Sequence, residues 1–284
     1  MKNGIRTEVV LFDAHIDPRS PHGEIPFDRH DPKALSLAFQ LIKHIRPDGV
    51  TLGGDWMNFG MLSPHVRKRG ESAGTAQMYN GENAKLFLDD AWAVGNLSLD
   101  LIQENAPKNC RLRYLEGNHE DWLRKIRNMA TYEAIMSGMF VETGLRMKER
   151  NMQFIPYEQY DGKDNWATLG PNLIVVHGNY TAANFLKRLY ADHEKSFLSG
   201  HMHVEMEETF QHRNTVRAGY SVGCLCYKRA SYHRGKGNRW SQGCAVVQLE
   251  KSGLFHVHLV RFIDGHAIYD SKMFYSKNLP ERLM

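Results

Sequence analysis

An α/β fold, with two mixed sheets packed face to face and helices outside, is predicted by three observations. Apolar strand-like runs alternate with helical patterns through the first half of the chain. After about residue 204 such runs follow one another without long helices between them. Each apolar strand then needs a partner layer to bury its faces, which a two-sheet sandwich flanked by helices supplies. The 284 residues suffice for a sizeable core, and the whole of 1–284 is expected to form one domain.

The elements follow in order. Glu8 to Phe12 is an apolar-rich strand candidate ending in Asp13. Asp31 to Ile45 places Leu35, Leu37, Ala38, Leu41, Ile42 and Ile45 at helical spacing, with Asp31 as N-cap and Pro32 at the first helical position. Gly49 to Gly53 reads as a buried strand ending in Asp55, completing a strand, helix, strand crossover. Residues 57–80 carry Gly60, Pro64, Gly70 and Gly74 with the basic run Arg67, Lys68 and Arg69, and read as a long loop excursion. Helical pattern returns from Glu82 to Asn105, and Arg111 to Leu115 is a strand leading to Asn118 and His119.

Asp121 to Arg150 is read as a mostly helical insertion, interrupted at Gly138 and Gly144. Leu173 to Val176 is a short strand before His177, Thr181 to His193 a helix, and Ser196 to Leu198 a strand before His201 and His203. Met206 to Phe210, Val216 to Tyr220, Cys244 to Leu249, Phe255 to Phe262 and Ile268 to Phe274 are strands that complete the sandwich over 204–284.

Composition bounds the function. The chain is 42% hydrophobic and 24% charged, without low-complexity runs, which excludes a disordered protein. A net charge of +4 is mildly basic: it is compatible with an anionic substrate and does not demand one. Cys110, Cys224, Cys226 and Cys244 show neither a zinc-knuckle spacing nor a disulfide framework, so reduced core thiols are expected. The start of the chain lacks a basic stretch followed by an apolar one, and no run of about 18 apolar residues occurs anywhere, so a cytoplasmic protein without membrane association is expected.

Five segments hold the chemistry: Asp13 with His15, Asp55, Asn118 with His119, His177, and His201 with His203. Carboxylate, imidazole and carboxamide ligands without thiolate suit borderline or hard divalent ions that act on phosphate oxygens. Asp-x-His at residues 13–15 and Gly-Asp at 54–55 are individually weak, since a turn after a strand explains each as well. Gly-Asn-His-Glu at 117–120 is more specific. Gly-His-Met-His at 200–203 is more specific still, because alternate histidines in one stretch are costly to desolvate unless a metal or carboxylate receives them.

Together, in this order and each after a predicted strand, these segments resemble the motif set of the calcineurin-like metallophosphoesterase superfamily. The resemblance covers about Leu11 to Val204. It implies that Asp13, His15 and His203 hold one ion, that Asn118, His177 and His201 hold another, and that Asp55 bridges them. It further implies two divalent ions, manganese first with iron, zinc, nickel and magnesium as alternatives, a hydroxide that they activate, and in-line attack on phosphorus. His119 would then serve the departing oxygen, oriented by Asn58 where the family usually has a carboxylate; Glu120 or Asp121 could substitute for that missing charge. Protein phosphatases of the superfamily carry arginines beside the second and third motifs. Here Phe59 and Gly60 follow Asn58, and Glu116 precedes Gly117. A diester, with fewer ionisable oxygens, has less need of such clamps.

Tyr227 to Trp240 interleaves Arg229, Arg234 and other cations with Tyr232 and Trp240. This is either a surface for single-stranded nucleic acid or nucleotides, with Arg229, Tyr232, Arg234 and Trp240 as substrate contacts, or a solvated hairpin loop anchored by its aromatics. The expected activity is therefore phosphodiester hydrolysis, in DNA, RNA or nucleotides. Phosphomonoester hydrolysis on small molecules or proteins is the alternative, and a non-catalytic metal-dependent binding module comes last.

Overall fold

The computed structural model describes residues 4–17, 29–62, 81–127, 139–158, 164–212, 215–228 and 239–284. An eight-stranded sheet and a five-stranded sheet make up its β-structure. β1 (Arg6–Leu11), β2 (Gly49–Leu52), β3 (Arg111–Leu115) and β4 (Met152–Ile155) run parallel in the first sheet, in register Val9↔Val50, Val50↔Leu112 and Leu112↔Met152. Beyond β1 the same sheet continues antiparallel through β10 (Gln242–Leu249), β11 (Phe255–Ile263), β12 (His266–Tyr269) and β13 (Lys272–Tyr275). The second sheet has the order β5, β6, β7, β9, β8, comprising Ala167–Gly170, Leu173–Val176, Ser196–Ser199, Thr215–Val222 and Glu205–His212. The expected two-sheet sandwich flanked by helices is what the chain forms.

Side-chain alternation builds the layers. On β1, Val9 and Leu11 face the helices, whereas Val10 faces the second sheet, as the period of two in a strand requires. Val10, Phe12 and Leu115 meet Leu173, Val175 and Leu198 between the sheets. On the outer face of the first sheet lie α1 (Pro32–Ile45) and α2 (Gly81–Asn105), through Leu35, Leu37, Leu41, Leu88, Val94 and Leu99. α5 (Phe185–His193) covers the outer face of the second sheet with Phe185, Leu186 and Leu189 against Ile174, Val176 and Phe197. α1 starts as its sequence predicts: Asp31 accepts a hydrogen bond from the Lys33 N–H, and Pro32 opens the helix.

Several expectations are corrected. The helix after β3, here α3, begins at Asn118 and ends at Arg127, so Asn118 and His119 form its first turn instead of trailing a strand. Of the helical insertion expected over 121–150, α3 runs to Arg127 and α4 is Val141–Gly144, with turns following it to residue 151; residues 128–138 lie outside the described residues. The strand expected over Ile268 to Phe274 is a hairpin, β12 and β13, turning at Asp270 and Ser271, both with left-handed φ. The helix expected from Thr181 starts at Phe185. β4 and β5 were not anticipated. In the long excursion, Gly60–Leu62 is a short 3₁₀ turn, and residues 63–80, with Arg67, Lys68 and Arg69, lie outside the described residues. All four cysteines are free thiols. No helix among the described residues is long and apolar enough to cross a membrane.

Candidate metal centre

The site gathers at the carboxyl ends of β1, β2, β3, β6 and β7, where strands from both sheets hand over to loops. The loops after β1 and β2 are tied to each other. Asp13 N–H donates to Gly54 O at 3.1 Å, His15 N–H to Asp55 O at 2.9 Å, and Asn58 N–H to Ile16 O at 2.9 Å. Asp13, His15, Asp55, His201 and His203 all have left-handed φ, between 49° and 67°. Non-glycine residues in that region carry strain that the surrounding structure must impose, and here it falls on five of the seven expected ligands. Two glycines permit the close approach. A Cβ at Gly117 would strike the Asp55 carboxylate and backbone, and one at Gly54, φ +106°, would strike the His177 ring.

Asp55 is buried at the centre. Its Oδ2 lies 3.3 Å from His177 Nε2, 3.8 Å from His119 Nε2 and 3.9 Å from His15 Nε2, while its Oδ1 accepts from the His119 N–H at 2.9 Å. On one side, His15 Nε2 faces His203 Nε2 at 3.3 Å, and Asp13 Oδ1 lies 3.5 Å from His203 Nε2. On the other, His177 Nε2 is 3.2 Å from Asn118 Oδ1, and His201 joins His177 and Asp55 as a third convergent donor. The seven residues expected as ligands are thus brought together, in two groups with Asp55 between them. Trp240 packs edge-on against His203, ring centres 4.2 Å apart. Arg229, Tyr232 and Arg234 lie outside the described residues.

Ring orientation is fixed from behind. His177 Nδ1 donates to Gly53 O at 3.1 Å, and since a carbonyl only accepts, Nε2 is left to face the centre. Behind His203, the Cys226 thiol sits 3.7 Å from Nδ1, on the side away from His15. His119 Nδ1 donates to the Asn58 backbone oxygen and to Asn58 Oδ1 at 3.1 Å, and its ring lies against Trp122 at 4.0 Å.

Electrostatics separate the groups. Burial alone would raise the Asp55 carboxyl, but His177, His119 and His15 outweigh it and hold Asp55 well below the usual carboxylate range. Burial likewise raises Asp13, and His203 more than offsets it. Burial lowers His177 and His203, yet the neighbouring Asp55 and Asp13 charges win and push each up to about 9. Burial dominates at His15, which falls to about 3, and at His201, which falls to about 4; it lowers His119 as well.

Donor chemistry and one orphaned atom fit a divalent pair. Asp13 Oδ1 is buried without a hydrogen bond, 3.5 Å from His203 Nε2, and the His15 and His203 Nε2 atoms converge at 3.3 Å. Carboxylate and imidazole donors converging in this way suit divalent cations.

Glu120 plays a part that the sequence did not disclose. It is fully buried, and its carboxylate accepts from Gly117 N–H at 2.9 Å, Asp55 N–H at 3.2 Å, Met57 N–H at 2.8 Å and Tyr114 O–H at 2.7 Å. It therefore clamps the loop after β2 to the loop after β3. Burial and the Asp55 charge push it up to about 8, while the Met57 and Gly117 N–H groups and the Tyr114 hydroxyl pull the other way. Asp121 is paired with Arg124 and Lys125. His119 Nδ1 meets Asn58, and neither Glu120 nor Asp121 takes that place.

No family model matches the chain, and no curated protein matches it in sequence. Solved structures align with most of the chain at low similarity. Vps29 from Chaetomium thermophilum shares 11% identity at a TM-score of 0.38, over 89% of this chain and 96% of that one. YfcE, a phosphoesterase from E. coli, shares 10% identity at a TM-score of 0.36, over 89% and 98%. A dimetal phosphatase from Danio rerio shares 11% identity at a TM-score of 0.39, over 88% and 94%.

Proposed function

We propose that the chain is a dinuclear metal-dependent phosphoesterase of the calcineurin-like kind that hydrolyses phosphodiester bonds, in nucleic acid or nucleotides. The observation that carries the reading is the placement of Asp55 Oδ2 within 3.3 to 3.9 Å of three imidazole nitrogens, between two groups of donors, with Asp13 Oδ1 3.5 Å from His203 Nε2 on one side. Asp13, His15 and His203 would hold one ion, and Asn118, His177 and His201 the other, with Asp55 shared. Manganese is the first choice. Bound divalent ions would supply Lewis-acid activation of water and of the phosphate oxygens.

The chain's own groups then divide the work. Asp55 places negative charge between the two groups of donors, where it would offset the mutual repulsion of two bound cations. Gly53 O holds the His177 proton on Nδ1, so that Nε2 stays available. His119 lines the centre through Nε2, and its other nitrogen is committed to Asn58. The single proton of the neutral ring therefore sits on Nδ1, and Nε2 donates to the departing oxygen only from the imidazolium. A phosphate anion bound beside the ring favours that form.

Diester preference is supported by what surrounds the centre. Among the described residues, the hydrogen bonds and ion pairs of Asp13, His15, Asp55, Asn118, His119, His177, His201 and His203 involve no lysine or arginine, an environment that suits the single charge of a diester. Trp240 against His203 puts an aromatic ring next to the centre, as a site for nucleotides would use.

The test is to incubate manganese-loaded protein with end-labelled single- and double-stranded DNA, RNA, bis-p-nitrophenyl phosphate and p-nitrophenyl phosphate, with Asp55→Ala as control. Diester cleavage that exceeds monoester cleavage and disappears in the control is expected. Faster monoester release would replace this reading with the phosphomonoesterase one, and no turnover with any divalent ion would remove the enzyme reading altogether.

A further inference from the structure

The carboxylate missing at Asn58 is present one link further out. Asn58 Nδ2 donates to Asp17 Oδ2 at 2.6 Å, and Asn58 Oδ1 accepts from His119 Nδ1 at 3.1 Å. Asp17 and Asn58 are both buried, 3% and 4% exposed, so neither can exchange these partners for bulk water. We propose that Asp17 is a positioning residue for His119, acting through the Asn58 carboxamide; this rests on the reading of His119 as the donor to the departing oxygen.

Hydrogen-bond polarity carries the inference. An amide can present either its oxygen or its NH₂ to a neighbour, and rotation by 180° exchanges the two. A carboxylate only accepts. With Asp17 on one side, the Asn58 NH₂ turns toward it and Oδ1 turns toward His119, where it joins the Asn58 backbone oxygen as a second acceptor of the proton on Nδ1. The reacting nitrogen, Nε2, is thereby directed at Asp55 and the centre. Without Asp17, Asn58 could turn its NH₂ to His119 and oppose the Nδ1–H, tilting the ring.

Asp17 is itself held in place. Its N–H donates to His30 Nδ1 at 3.4 Å, and its carbonyl accepts from Arg29 Nε at 3.1 Å. Arg29 is 2% exposed, which puts a buried guanidinium next to the Asp17 backbone. Ile16 bridges Met57 in parallel fashion, so the segment bearing Asp17 lies alongside the segment bearing Asn58. The more distant charge acts on His119 more weakly than a direct carboxylate would, so orientation is the larger part of its effect.

The experiment compares native protein, Asp17→Asn, His119→Gln and the double variant, all loaded with manganese, on a diester with a nitrophenolate leaving group and on one with an alkoxide leaving group. Asp17→Asn is expected to lower kcat about tenfold on the alkoxide ester, less on the nitrophenolate ester, with KM unchanged, in the range seen when groups behind a reacting residue are removed. In the His119→Gln background the same change is expected to have no further effect. In metal-free protein, exchange of the His119 Nδ1–H with solvent, read by NMR, is expected to speed up in Asp17→Asn.

An unaltered kcat in Asp17→Asn, or an equal loss with and without His119, overturns the proposal while leaving the phosphoesterase reading intact. Full activity in His119→Gln removes the role of His119 and the proposal with it. Should Asp17→Asn not fold, the exchanged pair Asp17→Asn with Asn58→Asp restores a carboxylate and an amide. It is expected to regain kcat within a few-fold, and a folded, metal-loaded but inert exchange variant overturns the proposal.

Discussion

Strand β1 carries a buried carboxylate near its start and leads to another just past its end, and the two are treated in opposite ways. Glu8 is met by Arg6 and Arg111 at one oxygen and by Arg113 at the other, each at 3.0 Å. Asp13 receives one backbone bond, from His201 N–H at 2.8 Å, and its second oxygen has no hydrogen-bond partner. Both are fully buried. The protein surrounds the first with fixed positive charge and sets the second beside ring nitrogens, His203 Nε2 at 3.5 Å, whose charge depends on protonation. A buried acid matched by its own arginines is architecture; a buried acid among convergent imidazoles is a candidate cation site.

The sharpest break of this contrast is in turnover. Asp55→Asn is expected to lower kcat/KM by about ten-thousandfold, some 5 kcal/mol, because the negative charge is lost where the proposed cations would be held. The check is initial rates on a diester after manganese loading. The mirror experiment at the other end of β1 is Glu8→Ala, which leaves the nearly buried Arg113 unpaired. A stability loss of about 3–5 kcal/mol in urea denaturation is expected, with no change in metal affinity of the folded protein. Metal itself separates the two ends. Manganese at a hundred times its dissociation constant should stabilise the native protein by about 2.7 kcal/mol, and Asp13→Asn by far less.

Glu120→Gln sits between the two cases, since Glu120 is architecture placed inside the site. Its replacement turns an NH₂ toward groups that already donate, and a stability loss of about 1–3 kcal/mol is expected, together with weaker metal uptake as the Asp55 loop loosens.

The same centre gives the metal-free protein a pH dependence. His177 and His203, raised to about 9, contribute stability that is fully present below the unfolded value near 6.5 and is lost as pH rises through 9. His15 and His201, lowered to about 3 and 4, contribute stability present above 6.5 and lost as pH falls toward those values. Stability from this centre therefore peaks near 6.5, with slopes of no more than about 1.4 kcal/mol per pH unit for each proton exchanged. Urea denaturation in chelator at pH 5, 6.5 and 8.5 checks it; a steady rise across that range would contradict it.

Much of the centre was legible because each chemical group follows an apolar run, and runs such as Arg111 to Leu115 and Leu173 to Val176 mark their own ends. Asp17 was not legible. Nothing in its neighbourhood marks it, and it meets Asn58, 41 residues away, only once the loops after β1 and β2 are tied together. Glu120 was visible as a motif letter, but its role depends on which N–H groups the fold turns toward it. β4 and β5 were missed for a shared reason: each is a four-residue strand at a sheet edge, with an exposed residue, Gln153 or Thr168, breaking its apolar run. The β12–β13 hairpin was read as one strand because its turn is Asp270 and Ser271, without the glycine that usually marks left-handed φ.

Metal stoichiometry tests the central claim most directly. Protein stripped with chelator, reloaded with manganese and desalted should carry two ions per chain by elemental analysis, with the electron paramagnetic resonance signal of a coupled pair. Asp55→Asn should lose that coupling while keeping its fold. A single uncoupled ion, no bound ion, or a coupled pair that survives the loss of the Asp55 charge would contradict the account.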